Sequence, residues 1–212
     1  MGTQRDDEAG YQREIKALSG NDAIDITGVE VLSDDHYVLR KVTFEQRHRD
    51  GHRAEHSREA YDRGNGAVIL LYDPEAGTVL LTRQFRMATY LGGHPTGHFI
   101  EAPAGLLDDE DPESAIRREA HEETGVTVDE VEFLFDVFTS PGSVTERLAF
   151  FAAPYRSGDR DQGGGVWDEG EDIEVVELAF ADALAKVASG EIQDAKTIML
   201  LQWLQLQGIM TG

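Results

Sequence analysis

Runs of β-branched and aromatic residues alternating with polar ones, a change to helical spacing after residue 111, and turn signals between the runs predict an α+β fold for this 212-residue chain. Residues 1–24 are polar, with weakly spaced Ile15 and Leu18, and read as a tail or a short surface helix. From 25 to 62, Ile26, Val29, Val31, Tyr37, Leu39, Val42 and Phe44 alternate with polar residues, and Asp50-Gly51 marks a hairpin turn. This predicts a small antiparallel N-terminal β lobe. Two stronger strand signals, 67–72 and 78–85, are separated by Asp73-Pro74-Glu75-Ala76-Gly77. A third short strand is expected at 98–102. A helix is then expected over 112–124, with Asp111 as its N-cap, Pro112 at its first position and Gly125 just past its end. Strands at 131–138, 147–153 and 173–178 follow, then helices at 180–188 and 195–207. Residues 159–170, holding Gly163-Gly164-Gly165, read as a mobile loop. Residues 63–212 make the main domain.

Composition narrows the function. The chain has 41 acidic and 19 basic residues, a net charge of −22, which argues against a general nucleic-acid binder or a basic membrane-surface protein. There is no cysteine, so disulfides, thiolate metal sites and thiol nucleophiles are out, and a cytoplasmic location fits. The apolar stretches are too short to span a bilayer, and the polar, acidic start does not read as a secretory signal. The acidity is localised. Residues 101–130 hold 11 acids and 2 bases, and residues 159–182 hold 9 acids and 1 base. Alone, such runs read as solvated surface. On a helix, however, Glu119 and Glu123 are i and i+4 and share a face that Glu122 flanks. Carboxylates held this close repel unless something compensates, and a hard divalent cation is the natural compensator. Arg118, four residues before Glu122, can hold that carboxylate in place.

The stretch Arg118-Glu119-Ala120-His121-Glu122-Glu123-Thr124-Gly125-Val126 resembles the second half of the Nudix box at every defined position. Counting back seven residues makes Glu110 the first Glu of the box, with Asp111 as the alternative, and Gly105 its glycine. Arg58-Glu59-Ala60-Tyr61-Asp62-Arg63-Gly64-Asn65-Gly66-Ala67, Arg83-Gln84-Phe85-Arg86, Ala104-Gly105-Leu106-Leu107-Asp108, Ser140-Pro141-Gly142, Val144-Thr145-Glu146, the glycine triplet, Glu171-Asp172-Ile173 and Gly190-Glu191-Ile192 with Asp194 and Lys196 extend the likeness over residues 26–210. Within the superfamily they are most similar to GDP-mannose hydrolases, and next to ADP-ribose pyrophosphatases.

The resemblance implies an α/β/α sandwich with a mixed sheet, and an enzyme that hydrolyses a diphosphate joining a nucleoside to another group. It implies Mg²⁺, or Mn²⁺, held by Glu119, Glu123, the Ala104 carbonyl and Glu171. Glu122 would support that site, so Glu122, Glu123 and Glu146 are the catalytic candidates, Glu146 as base or water-positioning group. Arg58, Glu59, Arg86, Ala104, Gly105, Leu106, Glu146 and Lys196 would contact substrate. His121, at the variable position of the box, reads as a surface or packing residue, and the glycine triplet as flexibility. The implied substrate is a small nucleotide sugar, GDP-mannose ahead of ADP-ribose. The N-terminal lobe, too small to stand alone, would exchange between two subunits of a homodimer. A catalytically silent ligand-binding regulator is the non-enzyme alternative, disfavoured by the three retained glutamates.

Overall fold

The computed structural model describes residues 20–156, 158, 160, 161, 163–165 and 172–210. They fall into two compact units, one of the described residues up to Gly64 with 140–146, the other of 65–139 with the described residues from Arg147 on. Residues 1–19 of the tail expected over 1–24 lie outside the described residues, as does Glu171, and Ile24 already opens the first strand.

The first unit is a three-stranded antiparallel sheet in the order β1 (Ile24–Asp34), β2 (Val38–Arg47) and β3 (Arg53–Asp62). The expected turn joins β2 to β3: Asp50 Oδ1 accepts from the His52 amide at 3.0 Å, and Gly51 takes φ 86°, a conformation open to glycine. Arg40, 5% exposed, pairs with Asp62 at 2.8 Å. Burial pushes the Asp62 carboxyl up, but the Arg40 hydrogen bond and charge and the Gly64 amide outweigh it and hold it below its ordinary value. Residues 140–146 join this unit, with the Tyr61 amide on Ser143 O at 2.8 Å and the Thr145 amide on Tyr61 O at 3.0 Å.

The second unit holds a mixed sheet, ordered β10 (Glu174–Ala179), β5 (Thr78–Phe85), β4 (Gly66–Asp73), β9 (Arg147–Pro154), β8 (Glu132–Phe138). β6 (His98–Glu101) pairs with β5, and β7 (Ala104–Leu106) with β4. β4 is central and runs parallel to β9. Its Ala-Val-Ile-Leu-Leu run is buried on both faces, which explains why polar residues do not interrupt it. Val68 and Leu70 pack with Phe180, Leu200, Leu201 and Leu204 of α3 (Phe180–Ser189) and α4 (Ala195–Gln207). Ala67, Ile69 and Leu71 pack with Ile116 and Ala120 of α2 (Pro112–Thr124). Each fully buried aliphatic side chain stabilises the sandwich by about 1.5–3 kcal/mol. The predicted α/β/α arrangement therefore holds. The five-residue α1 (Met87–Leu91) and three-residue β7 had no expectation in the sequence. Among the described residues no helix is long and apolar enough to cross a membrane.

Candidate active site

α2 begins and ends where its capping residues dictate. Asp111 accepts from the Ser114 amide at 3.0 Å, Pro112 opens the first turn, and Gly125 turns the chain with φ 77°. The helix therefore presents its carboxylates in a fixed register. Arg118 gathers them. Its guanidinium donates to Glu119 Oε1 at 3.0 Å and to Glu122 Oε2 at 2.9 Å, and reaches Glu110 Oε2 at 3.4 Å. Partial burial would lower the Arg118 pKa, but the charges of Glu119, Glu122 and Glu110 raise it. Glu110, rather than Asp111, is thus the residue that joins the helix glutamates. His121 is exposed and reaches only Thr127, with Nδ1 3.3 Å from Oγ1, as a surface residue should.

β7 lies against this helix. A Cβ on Gly105 would sit 2.0 Å from Glu119 Oε1, so only glycine lets that carboxylate rest on the strand. Ala104 and Leu106 flank it, which places the Ala104 carbonyl on the same short strand. Glu123 is 2% exposed, at the inner side of the last turn.

The loop after β9 corrects one expectation. The glycine triplet is fastened to the C-terminus of α2. The Gly164 amide donates to Glu123 O at 3.0 Å and the Gly165 amide to Glu122 O at 3.0 Å, while the Asp161 amide donates to Gly125 O at 2.9 Å. These amides occupy carbonyls that a helix end leaves without internal partners. A Cβ on Gly163 would lie 2.3 Å from the Thr124 carbonyl carbon, so the requirement is close approach rather than flexibility. Ile173 returns to the same place, its amide donating to Gly164 O at 3.2 Å.

A second charged group lies at the end of β6 and the start of α4. Glu101, 2% exposed, accepts from Arg86 Nε at 2.8 Å through Oε1 and from Lys196 Nζ through Oε2. Lys196 Nζ also lies 3.0 Å from Asp194 Oδ1. Asp194 caps α4 by accepting from the Thr197 amide and hydroxyl, and Thr197 Oγ1 in turn accepts from the Ala102 amide at 2.6 Å. Burial pushes the Glu101 carboxyl up, but the charges of Lys196 and Arg86 hold it below its ordinary value. Burial lowers Lys196 and Arg86, and their carboxylate partners raise both; the Glu123 charge is among those that reach Arg86. The expected substrate contacts Arg86 and Lys196 are therefore brought together by Glu101. The sequence reading passed over Glu101, although a charged residue closing an apolar strand was a visible signal.

Arg58, Glu59 and Glu146 belong to the first unit. Arg58 and Glu59 are exposed on β3, Arg58 donating to Ser57 O at 2.7 Å. Glu146 is buried, with Arg63 Nε at 3.5 Å.

Among the described residues no three His, Asp or Glu side chains are grouped to hold a metal ion. The chemistry of the donors nevertheless fits a hard dication. Glu119 and Glu122 supply carboxylate oxygens, of which Arg118 takes one each, and the absent side chain of Gly105 makes room for Glu119 beside a strand carbonyl.

Residues 62–201 match the NUDIX domain family, and residues 23–61 match the GDP-mannose pyrophosphatase NudK N-terminal domain. The chain belongs to the Nudix family. It is 53% identical to the GDP-mannose pyrophosphatase of Cronobacter sakazakii, across 85% of this chain and 94% of that protein. It is 54% identical to the GDP-mannose pyrophosphatase of Pectobacterium atrosepticum, across 87% and 95%. A crystal structure of an ADP compounds hydrolase superimposes with TM-score 0.65 at 20% identity, covering 88% of this chain and 96% of that one, which shows the fold alone.

Proposed function

We propose that this Nudix hydrolase cleaves the diphosphate of GDP-mannose with water, giving GMP and mannose 1-phosphate. The observation that carries the reading is the likeness to GDP-mannose pyrophosphatases at 50–54% identity, which takes in the N-terminal lobe as well as the catalytic domain. The α2 carboxylates gathered on Arg118 supply the chemistry. Glu119, Glu123, the Ala104 carbonyl and Glu171 would hold Mg²⁺, or Mn²⁺. When bound, the cation neutralises diphosphate charge and lowers the pKa of water. The pinning of Gly164 and Ile173 at the end of α2 supports the place of Glu171 in this set, since it lies between them in sequence.

The remaining roles belong to the chain itself. Arg118 orients Glu122 and Glu119. Glu146 positions the attacking water or takes its proton. Arg86, oriented by Glu101, offers a guanidinium whose planar fork suits two diphosphate oxygens, and Lys196 adds a second positive charge. Leu106 and Gly105 line the approach, and Arg58 and Glu59 contact the nucleotide or sugar. We assign the N-terminal lobe, 25–62, to exchange between two subunits of a homodimer around the 63–212 catalytic domain, which light scattering would read as about twice the 23.4 kDa chain mass. The cysteine-free composition supports a cytoplasmic setting.

The test is a phosphatase-coupled comparison of GDP-mannose and ADP-ribose as substrates with Mg²⁺ present. GDP-mannose should turn over faster. Equal or faster release from ADP-ribose would reject the mannose assignment in favour of the ADP-ribose one.

A further inference from the structure

The end of the β2–β3 hairpin carries three histidines that the proposed reaction does not use. Arg47 pairs with Arg53 at the last rung of the ladder, and the His48 amide donates to His52 O at 2.7 Å, so 48 and 52 stand opposite each other. Strand alternation then puts Phe44, Gln46 and His48 on one face with His56, Ala54 and His52. The short side chain of Ala54 lets His48 and His56 meet diagonally across it, with Nε2 to Nε2 at 3.4 Å. The His52 ring lies 5.9 Å from that of His48, and Phe44 backs His56 at 5.7 Å.

Most charges of the neighbourhood are directed away, although Arg58, two residues past His56, shares the histidine face. Arg47, Arg53, Glu45 and Glu55 occupy the opposite face, where Arg53 reaches Glu45 at 3.3 Å. Glu45, Asp50 and Glu55 balance Arg47, Arg49 and Arg53 over residues 45–56, so the segment is neutral within a chain of net charge −22. The tip of the hairpin therefore adds no net repulsion to a cation, and the whole hairpin, with 6 basic and 5 acidic residues over 38–62, adds little.

Two ring nitrogens 3.4 Å apart already have the bite of a chelate. Bond lengths of about 2.0–2.1 Å at a tetrahedral angle put two imidazole nitrogens about 3.4 Å apart. One of the facing nitrogens must now carry a proton and the other accept it. Binding asks that the donating ring carry its proton at Nδ1 instead and that both rings, now 5.6 Å apart between centroids, turn until their free Nε2 lone pairs converge on the ion. Imidazole selects zinc, nickel or copper over magnesium, which prefers oxygen.

We propose that His48 and His56 chelate a dication of the zinc, nickel or copper kind, in a two-imidazole site completed by water. It is a second cation site with a donor chemistry unlike that of α2. It would brace the register of β3, the strand that carries Arg58 and Glu59.

The experiment is a zinc titration of the full-length protein at neutral pH in saturating Mg²⁺, read by competition with a chromophoric chelator. Wild type should take up zinc at this site, and His48→Ala and His56→Ala should each weaken that uptake about tenfold or more. Glu123→Gln should keep it. Zinc should also raise the thermal midpoint of wild type and leave that of His48→Ala unmoved. The proposal is overturned if the histidine variants titrate like wild type, or if the zinc is lost in Glu123→Gln and kept in the histidine variants.

Discussion

Around Arg118, one guanidinium faces the three carboxylates of Glu110, Glu119 and Glu122; around Glu101, two carboxylates meet two cations, Arg86 and Lys196. The first cluster lies open to solvent, with the Arg118 side chain 37% exposed, and the second is closed over a Glu101 side chain 3% exposed. Water screens the surplus of the first, so it can persist without unfolding the helix. No such screening reaches Glu101, and there every charge has to be matched. The surplus is the feature suited to a cation, and the balance is the feature suited to fixing side chains in place.

The largest effect should come from removing the proposed metal ligand Glu123, the buried carboxylate of the same helix. Glu123→Gln keeps the shape of the side chain and deletes its charge. Hydrolysis should fall about a thousandfold, the loss of several kcal/mol of charge stabilisation, while the thermal midpoint stays near that of wild type. Wild-type turnover by this variant would remove Glu123 from the site.

Glu101→Gln should reverse the pattern, losing stability first. It strands Lys196 and Arg86 beside a neutral amide, at a cost of about 3 kcal/mol, the low end for a broken buried pair because Arg86 is 42% exposed. Urea denaturation measures it. The pH dependence sharpens the contrast. Because the folded Glu101 carboxyl is held below its ordinary value of 4.5, its contribution is complete above that value and is lost as the pH falls through the lower folded value. The variant should therefore show a flatter decline in stability on acidification, and a decline as steep as that of wild type would break the assignment.

Gly163→Ala should have the smallest effect. Its Cβ meets helix backbone that cannot swing aside, costing about 1–3 kcal/mol in a melting experiment. A stabilised alanine variant would restore the reading of this segment as flexible.

Much of the second unit was legible because its signals are local. Asp111, Pro112 and Gly125 bound α2 through groups within a few residues of one another, and the glutamates follow from that helix's own period. The β4 run announced a central strand by having no polar face. What escaped depends on partners distant in the chain. Glu101 meets Lys196 across 95 residues, and no window of sequence contains both. β7 is three residues long and exists because β4 offers it an edge. The glycine triplet looked flexible because composition reports conformational freedom, whereas the folded chain uses the missing side chains to bring two backbones together. The functional weight of Glu119 and Glu123 came from the box they sit in, because a bare acidic helix carries no such message.

The fastening of Gly164 and Ile173 to each other and to α2 also bears on how this enzyme can change. Gly164 and Ile173 meet at one anchored point, and a chain closed between fixed ends costs little more as it lengthens: each doubling adds only about 0.6 kcal/mol of closure entropy. Insertions between the two anchors should be absorbed there, leaving the helix that carries the box undisturbed while the span that carries Glu171 is rewritten.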